Sequence, residues 1–213
     1  NASHQLRTPL ATMQAEIDVA LRDKKLSTAG AREVLHSNLE EIGRLRALSD
    51  QLLKLTRTGD ADYEKTFDLT TVVKRFAATN KKRYNLALAG DIKRKACVVG
   101  DAVLIEEVLK ILCENAHQYS EGKQVAVGYG VGRSSVKVSV TDLGPGMSQA
   151  EQTRVFDRFY RGKDSARMNP SGHGLGLALA QDIVSRHDGS LALKSKPGKG
   201  TTFTVCLSLS NSV

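Results

Sequence analysis

An imidazole that could accept a phosphoryl group lies near the start of the chain. His4 occurs in the segment SHQLRTPL (3–10), off the apolar positions of that helical stretch, so its ring is predicted to face solvent with one nitrogen free to attack phosphorus. Thr8 follows one helical turn later on the same face. Pro9 removes a backbone donor and is predicted to bend the helix beside His4. An isolated surface histidine more often has no function, so this segment alone leaves both interpretations open.

A carboxylate beside a glycine-containing turn is the second candidate. In VTDLGPGM (140–147), Asp142 ends a predicted strand, and Gly144 and Gly146 permit a tight turn with close approach of the backbone to a ligand. A partly buried carboxylate at a strand end can accept a hydrogen bond from an exocyclic amine such as that of adenine. An ordinary turn that begins with Asp explains the motif about as well.

Glycines at every second position precede a predicted helix in SGHGLGLALAQDIV (171–184). Gly172, Gly174 and Gly176 would let an anion approach the backbone amides at the helix start. The G-x-G-x-G spacing differs from the G-x-G-x-x-G fingerprint of dinucleotide folds, and no Walker A motif occurs. The cluster by itself is weak evidence, but its position downstream of Asp142 favours a nucleotide site.

The helix predicted over 101–119 contributes polar groups near its end. Asn115 and Tyr119 are four residues apart and therefore share a face. An Asn carboxamide oxygen is a hard ligand suited to Mg²⁺, which keeps several waters and binds through substrate phosphates. The alternative for Asn115 is a hydrogen-bonding residue at a helix end.

Two amphipathic helices are predicted in the first 60 residues, with Ser27 and Thr28 as plausible caps of the second. A hairpin with so narrow an apolar seam cannot close a core alone, so pairing of two copies into a four-helix bundle is expected. The alternative is that the hairpin packs on its own second domain. The seam repeats by three, four and seven residues: Leu6, Leu10, Met13, Ile17, Ala20, Leu35, Ile42, Ser49, Leu45, Leu52, Leu48 and Leu55.

Beyond a polar segment at 57–66 the period changes. Helices interleaved with meandering strands predict an α/β two-layer sandwich with the helices on one face, and the whole chain is therefore α+β. The predicted strands are 123–130, 134–142, 191–195 and 201–209, and the predicted helices are 69–80, 101–119 and 174–187.

The composition excludes several classes of protein. The 213 residues carry a net charge of +8 and no run of about 18 apolar residues that would span a membrane. Three widely spaced cysteines, Cys97, Cys113 and Cys206, are interpreted as small core residues in a reducing compartment. The basic residues concentrated in 74–95 would attract anions, but a solvated rim is favoured over nucleic-acid binding because stacking aromatics are few.

Together these segments resemble a sensor histidine kinase of a two-component system over essentially the whole chain. SHQLRTPL resembles the H box, ENAHQYS (114–120) the N box, DLGPGM (142–147) the G1 box, VFDRFYRG (155–162) the F box and GHGLGLAL (172–179) the G2 box. The resemblance implies a dimerisation and histidine phosphotransfer domain at 1–58, a linker at 59–66 and a catalytic ATP-binding domain of the Bergerat type at 67–213.

The resemblance assigns roles residue by residue. His4 matches the phosphoacceptor, Gln5 its catalytic neighbour, and Thr8 the residue that positions water during dephosphorylation of the partner. Asp142 matches the carboxylate that reads adenine, Asn115 the Mg²⁺-binding residue, and Arg161 a basic residue aimed at the terminal phosphate. Tyr119 and Thr202 match residues near the base, and Phe156 and Phe159 match aromatics that dock the lid. The positions expected to frame the nucleotide are Gly144, Gly146, Gly172, Gly174, Leu175 and Gly176.

The sequence departs from the family pattern at four positions. Gln5 stands where many members have a carboxylate that can accept the imidazole proton. Ile111 replaces the first Asn of the N box, Gln118 a frequent Lys or Arg, and His173 a small hydroxyl residue. We expect these changes to slow autophosphorylation or to shift the balance towards phosphatase activity.

The resemblance thus implies an ATP- and Mg²⁺-dependent histidine kinase that passes its phosphoryl group to an Asp of a response-regulator receiver domain. A homodimer is expected, as the cytoplasmic portion of a bacterial inner-membrane sensor whose membrane segments lie outside this sequence. One alternative is a kinase-poor member acting mainly as a phosphatase. Others are a non-catalytic nucleotide-binding dimerisation module and a basic nucleic-acid binder.

Overall fold

A computed structural model describes residues 2–23, 25–57, 63–162 and 174–210, with the backbone alone for residues 2–8 and for parts of the second helix. The chain divides into two compact units, Asn1–Thr56 and Arg57–Val213. None of the described helices is both long enough and apolar enough to cross a bilayer.

The first unit is a pair of helices, as predicted. Helix α1 spans Ala2–Arg22 and continues through Pro9, and helix α2 spans Thr28–Arg57. The Ser27 hydroxyl accepts a hydrogen bond from the Gly30 amide at 3.0 Å, so the predicted cap of the second helix is confirmed.

Among the side chains that the structure describes, few apolar ones are buried between these two helices. Met13 is buried, and Glu16 of α1 accepts hydrogen bonds from the Ser37 hydroxyl and the Asn38 amide of α2 at 3.3 and 3.2 Å. Other positions of the predicted seam remain exposed in the single chain, Ile17 for example at 45%. Among the described side chains, the exposed apolar residues of the seam are Leu10, Ile17, Leu35 and Ile42.

The second unit is a mixed α/β domain with two sheets. Its elements in chain order are β1 (Thr66–Asp68), α3 (Leu69–Asn80), β2 (Leu86–Gly90), β3 (Cys97–Val99), α4 (Ala102–Tyr119), β4 (Val125–Val131), β5 (Ser135–Thr141), α5 (Gln149–Gln152), α6 (Gly176–Arg186), β6 (Ser190–Ser195) and β7 (Thr201–Ser208). The larger sheet has the strand order β2-β4-β5-β7-β6, and β1 pairs with β3 in a small separate sheet. Only β2 and β4 run parallel; the other neighbours are antiparallel.

One face of the larger sheet forms the core, because apolar residues alternate along its strands. The opposite face carries small and polar residues such as Ser139, Thr141 and Thr204. Helices α4 and α6 contribute Ile105, Leu109 and Ile183 to the same core. The buried apolar residues of these strands are Leu86, Val125, Val127, Tyr129, Val136, Val138, Val140, Phe203, Val205 and Leu207.

The predicted fold class, α+β with a helical hairpin followed by a two-layer sandwich, is confirmed. Helix α3 has the predicted bounds, whereas β1, β2 and β3 were not predicted; β1 and β3 are only three residues long, too short for an alternating pattern. The segment predicted as linker, 59–66, falls within the second unit, and its last residue, Thr66, lies in β1.

The cysteines only partly match the interpretation as core residues. Cys113 is fully buried, and burial, with the nearby Glu114 carboxylate, raises the pKa of its thiol to about 12. Cys97 is exposed and Cys206 is half-buried; all three are free thiols.

Candidate functional site

Asp142 lies directly after β5 and is 5% exposed. The Gly144 and Thr201 amides both donate to Oδ1, at 2.8 and 3.1 Å. No described residue donates to Oδ2, so one carboxylate oxygen is held in place and the other is left for a ligand donor. Burial raises the pKa of Asp142, and the two amide hydrogen bonds oppose that shift without cancelling it.

Gly144 brings the turn after Asp142 against the end of α4. A methyl group added at Gly144 would lie 2.6 Å from the Tyr119 carbonyl oxygen and 2.9 Å from Asp142 Oδ1. These distances are shorter than any real contact, so only glycine permits the approach. The structure therefore brings Asp142, Gly144 and the backbone of Tyr119 together.

At Gly146, the same turn packs closely against the loop that joins β6 and β7. It has φ +69°, and an added methyl group would lie 2.0 Å from the Lys196 carbonyl oxygen. The Gly198 amide donates to the Pro145 carbonyl at 2.6 Å. The turn that follows Asp142 and the loop that precedes Thr201 are thus packed backbone to backbone.

Thr201 is the threonine whose amide contacts Asp142, whereas the resemblance places Thr202 near the base. Thr202 pairs with Thr141 across the strands, and their hydroxyls lie 2.9 Å apart on the face of the sheet opposite the helices. Thr201 is buried on the helix face, and its amide contacts Asp142. The two threonines differ because neighbouring residues of a strand point to opposite faces, and the role expected of Thr202 stays a prediction.

Asn115 lies one turn before the end of α4 and is half-buried. Its carboxamide makes no hydrogen bond to another described residue. Within the described ranges, no group of three or more His, Cys, Asp or Glu side chains could hold a metal ion. A single amide oxygen fits Mg²⁺ that takes its remaining ligands from phosphates and water.

The glycine-rich segment is described from Gly174 onward, and Gly172 lies outside the described residues. Gly174 has φ +66°, and its carbonyl accepts from the Phe159 amide at 2.8 Å. Leu175 is 1% exposed, so its side chain belongs to the core and only its backbone is available to a ligand. Gly176 begins α6, where an added methyl group would lie 3.2 Å from Ile111 Cγ2.

Ile111 therefore fills the space between α4 and the start of α6. It stands where the family pattern has an Asn, and it is buried there. From the sequence alone, Ile111 is a lost polar group of the N box. The structure shows an apolar contact that holds the two helices together at the point where Gly176 approaches.

The segment after α5 contains the predicted aromatics and the predicted basic residue. Phe156 packs edge-on against Phe203, with ring centroids 6.2 Å apart, and is thus joined to the core of the sheet. Phe159 has φ +66°. Arg161 is half-buried and interacts within the chain, so it is not a free cation in this structure.

His4, Gln5 and Thr8 lie in α1, near the start of the first unit. Their side chains fall outside what the structure describes, so their predicted exposure and shared face remain predictions.

Several residues next to the site were not found from the sequence. Ser195 and Gln152 hydrogen-bond to the backbone around Met147. The pattern S-x-x-E at 148–151 is a readable signal that was overlooked; Ser148 and Glu151 form a capping box at the start of α5. Ser195 and Gln152 carry no comparable pattern.

Two family models match the chain. Residues 1–61 match the His Kinase A (phospho-acceptor) domain, and residues 100–211 match the histidine kinase-, DNA gyrase B- and HSP90-like ATPase family. The sensor protein CiaH of Streptococcus pneumoniae is 30% identical over 98% of this chain and 48% of its own length. SenX3 of Mycobacterium tuberculosis, a sensor-like histidine kinase, is 31% identical over 97% of this chain and 52% of its own length.

Solved structures share the fold. The Acinetobacter baumannii histidine kinase AdeS has a TM-score of 0.68 with 23% identity over 98% of both chains. The histidine kinase ThkA, solved in complex with the response regulator protein TrrA, has a TM-score of 0.68 with 17% identity over 98% of this chain and 60% of its own.

The second unit therefore has the fold of the histidine kinase-, gyrase B- and HSP90-like ATPases. With the phospho-acceptor match over 1–61, the chain belongs to the sensor histidine kinases of two-component systems. It spans about half the length of the curated relatives it matches.

Proposed function

We propose that the chain is the catalytic core of a sensor histidine kinase, which binds ATP in its second unit and transfers the γ-phosphoryl group to His4. The observation that carries this proposal is the Asp142 carboxylate. It is buried beside a glycine turn, with Oδ1 fixed by two backbone amides and Oδ2 free to accept a hydrogen bond from the adenine amine.

The remaining groups bind the rest of the nucleotide. Asn115, which makes no hydrogen bond to a described residue, would hold Mg²⁺, and that ion would neutralise charge on the phosphates and align them. The backbone at Gly174 and Gly176 lies at the start of α6, where backbone amides can donate hydrogen bonds to anionic phosphate oxygens. Arg161 would move from its present partners to the terminal phosphate.

In the proposed reaction, the Nε2 lone pair of His4 attacks the γ-phosphorus in line. The new P–N bond forms as the bond between the γ-phosphorus and the bridging oxygen breaks, and ADP leaves with that electron pair. The imidazole N–H proton passes to solvent, because the Gln5 amide is not a base. The phosphoryl group then passes to an Asp carboxylate of a response-regulator receiver domain.

Incubation with γ-labelled ATP tests this proposal. The wild-type chain should acquire label that is lost in acid and kept in base, as expected of phosphohistidine, and the His4→Ala variant should acquire none. His36→Ala, which removes an exposed histidine of α2, is the matched control and should label normally. Label retained on the His4→Ala variant would refute the assignment.

A second candidate activity is dephosphorylation of the regulator with little autophosphorylation. It is favoured by Gln5, which cannot accept a proton, and by Thr8, which matches the residue that positions water. Comparison of wild type with Gln5→Glu separates the two activities. Faster autophosphorylation of the variant supports the proton-acceptor argument, and an unchanged rate counts against it.

We also propose that two copies pair through the first unit, as the exposed seam and the phospho-acceptor family match suggest. Ile17→Lys on the seam should shift sedimentation from dimer to monomer. Val19→Lys, at a position that is 68% exposed and off the seam, should leave the dimer intact. A monomeric wild type would contradict this proposal. We further propose that the chain is the cytoplasmic portion of a membrane-bound sensor, because the relatives that it matches are named sensor and signal transduction kinases.

A further inference from the structure

The turn after Asp142 and the loop before Thr201 are joined by two side chains that do not belong to either. Ser195, the last residue of β6, and Gln152, the last residue of α5, both reach the backbone of Met147. We call these two side chains and their hydrogen bonds the Ser195–Gln152 bridge. Neither residue carries a sequence motif, and both are half-buried.

The hydroxyl of Ser195 has every hydrogen-bonding position filled. Its oxygen accepts from the Met147 amide at 2.9 Å and donates to the Gly200 carbonyl at 3.0 Å. The Thr201 hydroxyl lies 2.9 Å away and is the donor in that pair, because the single Ser195 proton is already used. This one oxygen therefore contacts both segments that supply an amide to Asp142.

The Gln152 carboxamide closes the bridge from the other side. Its Nε2 donates to the Met147 carbonyl at 3.0 Å and to the Ser195 carbonyl at 3.2 Å, which uses both of its protons. Gln152 thereby fixes the carbonyl of Met147, whose amide is held by Ser195. The amide and the carbonyl of Met147 are thus both hydrogen-bonded, and they connect the turn after Asp142 to β6 and α5.

The geometry points to a positioning role for this bridge in base recognition. Asp142 Oδ1 needs the amides of Gly144 and Thr201 at once, and these belong to two separate segments. If the segments separate, the carboxylate loses one amide and can rotate, so Oδ2 no longer stands fixed for the base amine. We propose that Ser195 and Gln152 set the affinity for adenine nucleotides and the preference for adenine over guanine without contacting the nucleotide.

This inference rests on the proposed function, and Gln152→Glu tests it on the full chain. The substitution preserves shape but places a carboxylate oxygen against two carbonyls in place of two donated protons. Gln149→Glu adds the same charge to the exposed first residue of the same helix and is the matched control. The loss of one to two net hydrogen bonds predicts Mg²⁺-ATP binding weaker by roughly threefold to tenfold or more for Gln152→Glu, and unchanged binding for Gln149→Glu.

Ser195 supplies a second, independent variant. Ser195→Ala should weaken ATP binding to a similar extent, Ser195→Thr, which keeps the hydroxyl, should restore it, and Ser190→Ala on the same strand should have no effect. GTP is titrated beside ATP, with thermal unfolding recorded for every variant. A positioning role predicts that the ratio of ATP to GTP affinity falls and that the labelling rate at saturating ATP is kept.

Each outcome bears on a different claim. A wild type that binds no nucleotide overturns the proposed function itself. A wild type that binds, with Gln152→Glu and Ser195→Ala equally tight, overturns the bridge alone. Equal losses for ATP and GTP that follow the loss of thermal stability would also overturn it, since they would reveal a merely structural role.

Discussion

Replacing Gly146 by alanine should destabilise the candidate site for two reasons that can be measured separately, backbone strain and a steric clash. Gly146 has φ +69°, which L-residues rarely adopt, and its added methyl group would lie 2.0 Å from the Lys196 carbonyl oxygen. Gly198, in the loop opposite, has φ +74° but nothing within 4 Å of the added methyl group. The two substitutions therefore share the backbone cost and differ in the steric cost.

The backbone cost of placing alanine in the left-handed region is about 1–2 kcal/mol, and Gly198→Ala should lose that amount of unfolding free energy. Gly146→Ala should lose a further 1–3 kcal/mol, roughly the cost of overpacking a well-packed site. The upper part of that range is expected because the atom in the way is a backbone oxygen, which a side-chain rotation cannot move.

Urea unfolding followed by circular dichroism measures the difference between the two variants. Each kcal/mol should also lower the melting temperature by about 2–4 °C in a domain of this size. Binding of ATP should weaken in Gly146→Ala and change little in Gly198→Ala. Equal destabilisation of the two variants would refute the claim that the turn after Asp142 is packed against the loop between β6 and β7.

Three further predictions follow from described contacts. His187→Ala should lower the free energy of unfolding by about 2–4 kcal/mol, because the buried ring accepts a hydrogen bond from the Asp101 amide at 2.9 Å and its Nδ1 lies 2.7 Å from the Ile183 carbonyl oxygen. Urea unfolding measures this loss, and a value below about 1 kcal/mol would contradict the prediction. Burial raises the pKa of Asp142 in the folded state, so the contribution of this group to stability is full below its unfolded-state pKa and is lost as the pH rises through its folded-state pKa. Asp142→Asn should therefore be more stable than wild type at pH 7 and show no gain in acid. An equally large gain at both pH values would contradict this. Arg75→Ala breaks the ion pair with Glu106 and should change the unfolding free energy by only about 0–1 kcal/mol, since the Arg75 side chain is 59% exposed and the Glu106 side chain 36% exposed. A larger loss in urea unfolding would contradict this.

The sequence predicts most of the long elements because their periodicity is strong. Helix α3 and strands β4, β5, β6 and β7 occur at or near the predicted residues. Strand β2, with the sequence LALAG, shows little alternation and is created by parallel pairing with β4, a contact far away in the chain.

The site could be predicted as a set of motifs but not in its register. Asp142 and Gly144 are close together as expected, whereas the choice between Thr201 and Thr202 depends on which face of β7 packs on the helices. A shift of β7 by one residue in its pairing would reverse which threonine faces the helices, and a short polar motif does not determine that pairing. Ser195 could not be found at all, because its role depends on backbone groups that only the folded loops bring within reach.

The most direct test of the account is calorimetric titration of Mg²⁺-ATP into wild type, Asp142→Asn and Asp91→Asn. Asparagine keeps the oxygen that accepts the Gly144 and Thr201 amides but presents an amide donor to the adenine amine. The account predicts binding by wild type and by Asp91→Asn, which changes an exposed loop carboxylate, and a loss of about tenfold or more for Asp142→Asn. Binding of ATP by Asp142→Asn as tight as that of wild type would contradict it.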